Sequence, residues 1–509
     1  MSESANLRQL RPAVHPQGFG TSSAAMAIRL RDVLLFGLPL TLSTLVVLLA
    51  FWPAQVNFDA SAQWMEAVRG TTYTAGLVVP VTLFMRAVSM IWPSPAALML
   101  LQTGAMWLTA GYILAELQAL GVRRKWALAC ALVVAVLPQN PLMLTTLGKD
   151  SLYTLACLVL CAVQLRLVRR GVTGLYRTST AVCFVIAAAL PGIIRINGLV
   201  SSLGVVVVTC LWLAYVGGWR RGAGILLATL LTLGAVLWGA SRVPGVKPND
   251  GGSVALVFTN HFVAAAIHDG TPLRPEERKL AEKVMPLADW RDSYDCRMTD
   301  KTRGAMFAAY QGRPEALAAM LEANTKALEM LAVTLIARNP QAALARQLCI
   351  SRPLWHVGPT PGQNLWDTTA PAGMVGLDAM IVEPYASQLK WAPVLPALGK
   401  ALETFTYLTT IPRQATGTRW LWWNSAVPMW LSLIVVFWCW FRRGDRRAAY
   451  VYLPFAIHSA AMFLLIPYPA FRYQHPVWAI LPFMLLFLAL PSRRDATGQL
   501  QNPSAASAT

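Results

Sequence analysis

The stretch Gly76-Leu77-Val78-Val79-Pro80-Val81-Thr82-Leu83-Phe84-Met85-Arg86-Ala87-Val88-Ser89-Met90-Ile91-Trp92 decides how this chain is threaded. It is apolar enough to enter a membrane, yet it carries Pro80 and Arg86 and falls short of the roughly 20 residues of a typical span. If it crosses, Arg123-Arg124-Lys125 moves to the face opposite Arg29 and Arg31, and every later basic cluster moves with it. If it re-enters or lies in the interface, six clusters share one face: Arg29 with Arg31, Arg123 to Lys125, Arg166 to Arg170, Arg220-Arg221, Arg442 to Arg447, and Arg493-Arg494. The positive-inside rule selects the second reading and puts both termini in the cytoplasm.

Outward from that stretch, the chain is too apolar for a water-soluble fold of its length, with 56% hydrophobic and 13% charged residues and a mean hydropathy of +0.48. Apolar runs at 33–52, 96–118, 126–145, 151–168, 179–194, 198–218, 223–241, 425–441, 449–467 and 475–490 predict about ten transmembrane helices. Ala60-Ser61-Ala62 resembles a signal-peptidase site, but the preceding run exceeds a signal-peptide core, so a retained anchor is expected. The net charge of +19 sits in loops between spans, where orientation and anionic headgroups account for it, so no nucleic-acid partner follows.

The expected fold is an all-α polytopic membrane protein. Residues 1–31 form a cytoplasmic tail, 32–241 an N-terminal membrane module with a first outer loop at 53–95, 242–424 an outer domain, 425–491 the last spans, and 492–509 a second tail. The outer region of about 180 residues is too long for a plain connection. Helical periodicity with alternating charge at Glu276 to Lys283 and Arg313 to Leu348 predicts a mainly helical outer domain, irregular over 352–396. Cys130, Cys157, Cys161, Cys183, Cys210 and Cys439 lie in apolar runs and read as buried packing residues. Cys296 and Cys349 lie in the outer region, where an oxidising compartment permits a disulfide that spacing alone cannot establish.

On this threading, four separate returns of the chain carry polar groups to the outer face. Asp59 follows the first span. A carboxylate at the membrane surface can act as general base toward a hydroxyl, partial desolvation raising its basicity; the plainer role is a cap on the short helix of 62–69. Lys149-Asp150 opens one span and Arg195 closes another, close to Asn197. Cations at membrane level need a partner, and phosphate suits Arg and Lys; snorkelling or a Lys149-to-Asp150 pairing is the structural alternative. Arg472-Tyr473 lies between the last two spans, where an aromatic interface belt is the alternative. His261, His268, His356 and His475 have no His or Cys at ligand spacing and receive no metal role. One isolated carboxylate with three cations suits a reaction in which a lipid phosphate leaves.

Together, Asp59, Lys149-Asp150, Arg195-Ile196-Asn197-Gly198 and Arg472-Tyr473 with Pro476 resemble the GT-C superfamily of integral-membrane glycosyltransferases, particularly bacterial relatives of protein mannosyltransferases and lipid A aminoarabinose transferases. The resemblance covers about 30–240 and 425–490. It implies a polyprenyl-phosphate-linked sugar donor, an envelope glycan, lipid or protein acceptor, surrounding membrane lipids, and transfer on the periplasmic face of the bacterial inner membrane. Asp59 matches the catalytic acid of the first loop, Lys149 and Arg472 match donor-phosphate contacts, and Asp150 matches a second acidic position. Arg195 and Asn197 match a motif without an assigned role, and Arg195 joins the phosphate-binding set by its charge. Asp59 is flanked by Phe58 and Ala60 rather than by a second acid, and Val78-Val79-Pro80-Val81 keeps one Pro of a charged motif. No certain cofactor follows; a divalent metal stays open. The alternatives are an envelope glycan ligase or polymerase, in which Asp59 is dispensable, and a transporter or flippase for a lipid-linked sugar.

Overall fold

The computed structural model describes residues 28–74, 78–247, 254–358, 392–410, 417–466 and 470–491. Both tails, most of the irregular stretch at 352–396, Gly76-Leu77 and Pro467-Tyr468-Pro469 lie outside them. Among the described residues, six helices are long and apolar enough to cross a membrane: α1 (Leu30–Ala50), α4 (Pro95–Ala119), α7 (Lys149–Arg170), α9 (Gly198–Tyr215), α10 (Trp219–Ser241) and α20 (Arg447–Leu465). The rest of the first half is built from α2 (Phe58–Arg69), α3 (Val79–Ile91), α5 (Arg124–Val136), α6 (Gln139–Leu144) and α8 (Thr178–Ile194). The run at 126–145 is therefore two helices, because Leu137 is extended ahead of Pro138. Between Val78 and Trp92 the chain forms α3, whose 13 residues span about 20 Å, short of a hydrocarbon core about 30 Å thick.

α7 is the hub. In its apolar window 72% of residues are buried, against 22% for α10, which makes α7 the enclosed helix and α10 a peripheral one. α1 and α4 run antiparallel in close contact through small residues: a Cβ on Gly37 would meet the Trp107 carbonyl, and one on Gly111 the Val33 carbonyl. Trp107 Nε1 donates to the Leu34 carbonyl at 2.8 Å along the same seam.

Polar contacts sort the ends of the bundle. Arg124 pairs with Asp32 at 3.5 Å, Arg169 pairs with Glu116, Arg221 donates to the Leu175 carbonyl at 2.9 Å, and Gln164 donates to the Tyr450 carbonyl at 2.7 Å. These ties gather the basic clusters of 29–31, 123–125, 166–170, 220–221 and 442–447 at one end. Lys149-Asp150 lies at the other end of α7, about 24 Å from Arg166 at 1.5 Å per residue.

Residues 254–358 form a helical unit of α11 (Val254–His268), α12 (Pro275–Val284), α13 (Leu287–Ser293), α14 (Thr299–Ala309), α15 (Pro314–Arg338), α16 (Pro340–Ile350) and α17 (Arg352–Trp355). The periodic stretch from Arg313 breaks at Asn339-Pro340, where Asn339 caps α16 by accepting from Ala342 N at 3.1 Å. The core of this unit holds Val263, Trp290, Leu328 and Leu335. Cys296 and Cys349 are disulfide-bonded, with Cα atoms 5.7 Å apart. Nearby, the buried Arg346 donates to His261 Nδ1 at 2.8 Å, and His261 Nε2 donates to the Asp295 carbonyl at 3.0 Å.

Several contacts fix this unit to the bundle, among them donation from Trp430 Nε1 to the Trp355 carbonyl at 2.9 Å and from Asn424 Nδ2 to the His356 carbonyl at 3.1 Å. Ile350 and Leu354 pack with Met462, Ile466, Ala470 and Tyr473. Gln347 donates to the Phe463 carbonyl. β1 (Tyr73–Thr74) pairs in parallel with β2 (Val246–Lys247), joining the segment after α2 to the chain just beyond α10. α18 (Pro396–Thr410) returns against the end of α1, and α19 (Ala426–Phe437), α20 and α21 (His475–Leu485) complete the bundle. Cys183 is exposed and Cys210 partly so, unlike the other four free cysteines, which are buried; burial of all six was expected, but Cys183 faces outward from α8.

Candidate functional site

The site is assembled by two local devices that bring Asp59 to the start of α7. After α1 the chain runs beside the segment that precedes α7: Gln55 N donates to the Thr145 carbonyl and Leu147 N to the Gln55 carbonyl, both at 2.8 Å. The Gln55 side chain then donates to Thr145 Oγ1 at 2.8 Å. Gly148, at φ +130°, lets Ala60 approach so closely that a Cβ there would lie 3.2 Å from the Ala60 methyl. A side chain at 148 would push Asp59 away from Lys149 and Asp150.

Asn57, not Asp59, caps α2: its side chain accepts from Ala60 N at 2.8 Å. The capping role considered for Asp59 is thereby taken, and its carboxylate points into the site from the first turn of α2. Gly70, left-handed at φ 66°, ends the helix. Trp64 and Met65 bury its apolar face.

Four of the charged residues form a ladder. Asp59 Oδ2 stands 3.3 Å from Arg472 Nη2. Arg472 Nε lies 3.5 Å from Asp150 Oδ2. Asp150 Oδ1 lies 2.8 Å from Arg195 Nη1. Asp150 thus bridges two guanidinium groups instead of pairing with its neighbour Lys149, as the structural alternative for that pair had it. Tyr473 sits between the two arginines, its ring centroid 4.6 Å from the Arg195 guanidinium and 5.1 Å from that of Arg472. Lys149 makes no hydrogen bond or ion pair with any described residue, but its charge acts on Asp59. Asn197 is drawn aside, donating to Met462 Sδ at 2.7 Å.

Exposure separates the two carboxylates. The Asp150 side chain is 8% exposed and that of Asp59 39%, while Arg195 and Arg472 are 10% and 11% exposed. Asp150 is therefore a buried counter-ion, and Asp59 is the acid that a solute can reach. Burial pushes the Asp59 carboxyl up, but the charges of Arg472, Lys149 and Arg195 outweigh it and hold the group below its ordinary value. Sequence reasoning expected desolvation to raise its basicity; the three cations reverse that sign. Three cations against two carboxylates leave one positive charge, which suits an anion.

The second layer of the site was missed in the sequence. Tyr153 lies one turn beyond Lys149 on α7, and its ring is 5.8 Å from the Arg195 guanidinium. Its hydroxyl donates to His458 Nδ1 at 2.9 Å, and His458 Nε2 donates to the Tyr473 carbonyl at 2.8 Å. Because a carbonyl only accepts, that second bond fixes the tautomer and leaves Nδ1 as acceptor. His475 opens α21, fully buried, with Nδ1 3.0 Å from Thr154 Oγ1. The available signal was a Tyr, a Thr and a His inside otherwise apolar helices, where polar groups need partners.

Among the described residues no group of three or more His, Cys, Asp or Glu stands close enough to hold a metal ion. Asp59 and Asp150 are both engaged by guanidinium groups, so the donor set for a divalent metal is not gathered at this site. Compared with known proteins, the chain matches no family model, no curated protein and no solved structure, so its own geometry carries the functional reading.

Proposed function

We propose that the protein is a membrane glycosyltransferase of GT-C type that moves a sugar from a polyprenyl-phosphate-linked donor to an acceptor hydroxyl. The observation that carries this reading is the Asp59–Arg472–Asp150–Arg195 ladder, in which one accessible carboxylate shares its arginine with a buried counter-ion. In this reading the basic end of the bundle is cytoplasmic, the ladder lies on the periplasmic side of the bacterial inner membrane, and the unit of 254–358 is periplasmic. The shorter apolar helices α3, α8 and the segment Ala426–Arg442, with α5–α6 and α21, supplement the six long helices; all but α3 would complete a count of about ten spans.

The donor phosphate competes with Asp59 for Arg472 and takes up the unpaired Lys149. Displacing Arg472 removes the strongest cationic influence on Asp59, so donor binding raises the basicity of the group just when a base is needed. The acceptor oxygen attacks the anomeric carbon, its proton passes to Asp59, and the bond from that carbon to the phosphate oxygen breaks. The electron pair leaves with the polyprenyl phosphate, whose charge Lys149, Arg195 and Arg472 stabilise. A single displacement inverts the anomeric centre.

Removal of a placed general base costs roughly 10²–10⁴ in rate. Asp59→Asn should therefore lose turnover of a polyprenyl-phosphate sugar in proteoliposomes while the protein stays folded and binds the donor. The Asp59–Arg472 pair also favours a second reading, a glycan ligase or polymerase in which Asp59 merely holds Arg472. Full activity of Asp59→Asn selects that reading and ends the first.

A further inference from the structure

At the basic end of the bundle, away from the ladder, a lateral cleft of about 680 Å³ opens beside α7. Its walls are apolar side chains of α1, α4, α7 and α8, including Val33, Leu108, Val159 and Val163. At its mouth stand Arg166, Arg169 and Arg170. The size is that of a site for one small molecule or one lipid chain.

Two of the guanidinium groups there keep donors that no described residue satisfies. Glu116, fully buried, accepts from Arg169 Nη2 at 3.1 Å and from the Tyr112 hydroxyl at 2.7 Å. That pair neutralises one charge but leaves Arg169 Nη1 buried without a partner, on a side chain only 7% exposed. Arg166 Nε is likewise buried and unpartnered. Arg170 is exposed at the rim. A buried N–H without an acceptor costs on the order of 1–3 kcal/mol, more for a charged group, so turning these guanidinium groups toward an anionic oxygen in the cleft is favoured, beside a trough for a hydrocarbon chain.

We infer that this cleft seats one anionic phospholipid, its phosphate held by Arg166, Arg169 and Arg170 and one acyl chain lying along the trough. Free phosphate would satisfy the donors but leave the apolar walls uncovered, and a neutral detergent chain would do the reverse. A lipid with a net negative headgroup meets both needs. Phosphatidylcholine carries a choline cation next to its phosphate, which offsets the charge that the arginines select. The site is separated from the Asp59 ladder by most of the length of α7, so it stands or falls independently of the glycosyltransferase reading.

Cys183 lines the same cleft and is exposed, which makes it a native reporter. In the purified full-length protein in neutral detergent, peptide-resolved mass spectrometry would time maleimide alkylation of Cys183 as phosphatidylglycerol, phosphatidylcholine or inorganic phosphate is added. Phosphatidylglycerol should slow alkylation, and the other two should not. Arg166→Gln, which leaves the Glu116–Arg169 pair in place, should weaken the apparent affinity about tenfold or more, the scale of one charge-assisted hydrogen bond. Native mass spectrometry of the same samples should find one retained phosphatidylglycerol per chain, lost in Arg166→Gln. Equal protection by phosphatidylcholine, protection by phosphate alone, or an unaltered lipid count in Arg166→Gln would overturn the proposal.

Discussion

Replacing Asp150 by Asn tests the division of labour between the two acids of the ladder. Asn keeps the shape and one acceptor oxygen but removes the charge that lies 2.8 Å from Arg195 and 3.5 Å from Arg472. Asp59, which accepts from Arg472 Nη2, then remains as the single carboxylate of the ladder. Arg195 and Arg472 are each only about a tenth exposed, so water cannot replace the lost counter-ion. Breaking a buried pair this way costs about 3–5 kcal/mol. Asp59→Asn should cost about 1 kcal/mol or less, because its carboxylate is 39% exposed and Arg472 keeps Asp150. Equilibrium unfolding in mixed micelles, followed by tryptophan fluorescence, would measure both. Removing the orphaned cation in Asp150→Asn/Arg195→Gln should recover part of the loss, with a coupling of about 0.5–3 kcal/mol. Asp150→Asn as stable as the parent, or Asp59→Asn the more damaging of the two, would refute the assignment of Asp150 as counter-ion and Asp59 as the accessible acid.

Arg472→Ala and Lys149→Ala should each weaken polyprenyl-phosphate binding by about tenfold or more, whereas Asp59→Asn should preserve or tighten it by releasing Arg472; titration with a fluorescent analogue reads all three. Burial, followed by the Arg346 charge, holds His261 down to about 3, while in the unfolded chain it takes its proton near 6.5. The stabilisation from keeping it neutral is complete above pH 6.5 and is lost as pH falls from there toward 3, at up to about 1.4 kcal/mol per pH unit; His261→Gln should flatten that limb of a stability–pH profile, and an identical slope would contradict it. Cys296→Ser should lower the stability of the helical unit of 254–358 by about 2–4 kcal/mol, and reductant should reproduce the loss in the parent but not in the variant.

The long helices were legible because length and hydropathy alone define them: α1, α4, α7, α9, α10 and α20 all fall on apolar runs of the sequence. The broken ones were not. Leu137-Pro138 splits an apolar run that composition reads as continuous, and His475 to Ala489 ends its α-helix at Leu485. Asp59, Asp150, Arg195, Arg472 and Tyr473 were visible as charge and aromatic character at helix ends, and the structure brings them together. Their pairing was not visible, since which acid a guanidinium meets depends on distant segments stacking: Asp59 and Arg472 are 413 positions apart. His458 and Tyr153 escaped for a related reason, as each looks like a lone polar residue in an apolar helix until their hydrogen bond is seen. The desolvation argument for Asp59 failed because three cations converge where the sequence shows them scattered.

The most direct measurement is a density map of the protein with polyprenyl phosphate bound. The phosphate should lie against Arg472 and Lys149, with the Asp59 carboxylate no longer on Arg472 and Asp150 still joined to Arg195. Phosphate density elsewhere, with the Asp59–Arg472 contact intact, would contradict the account.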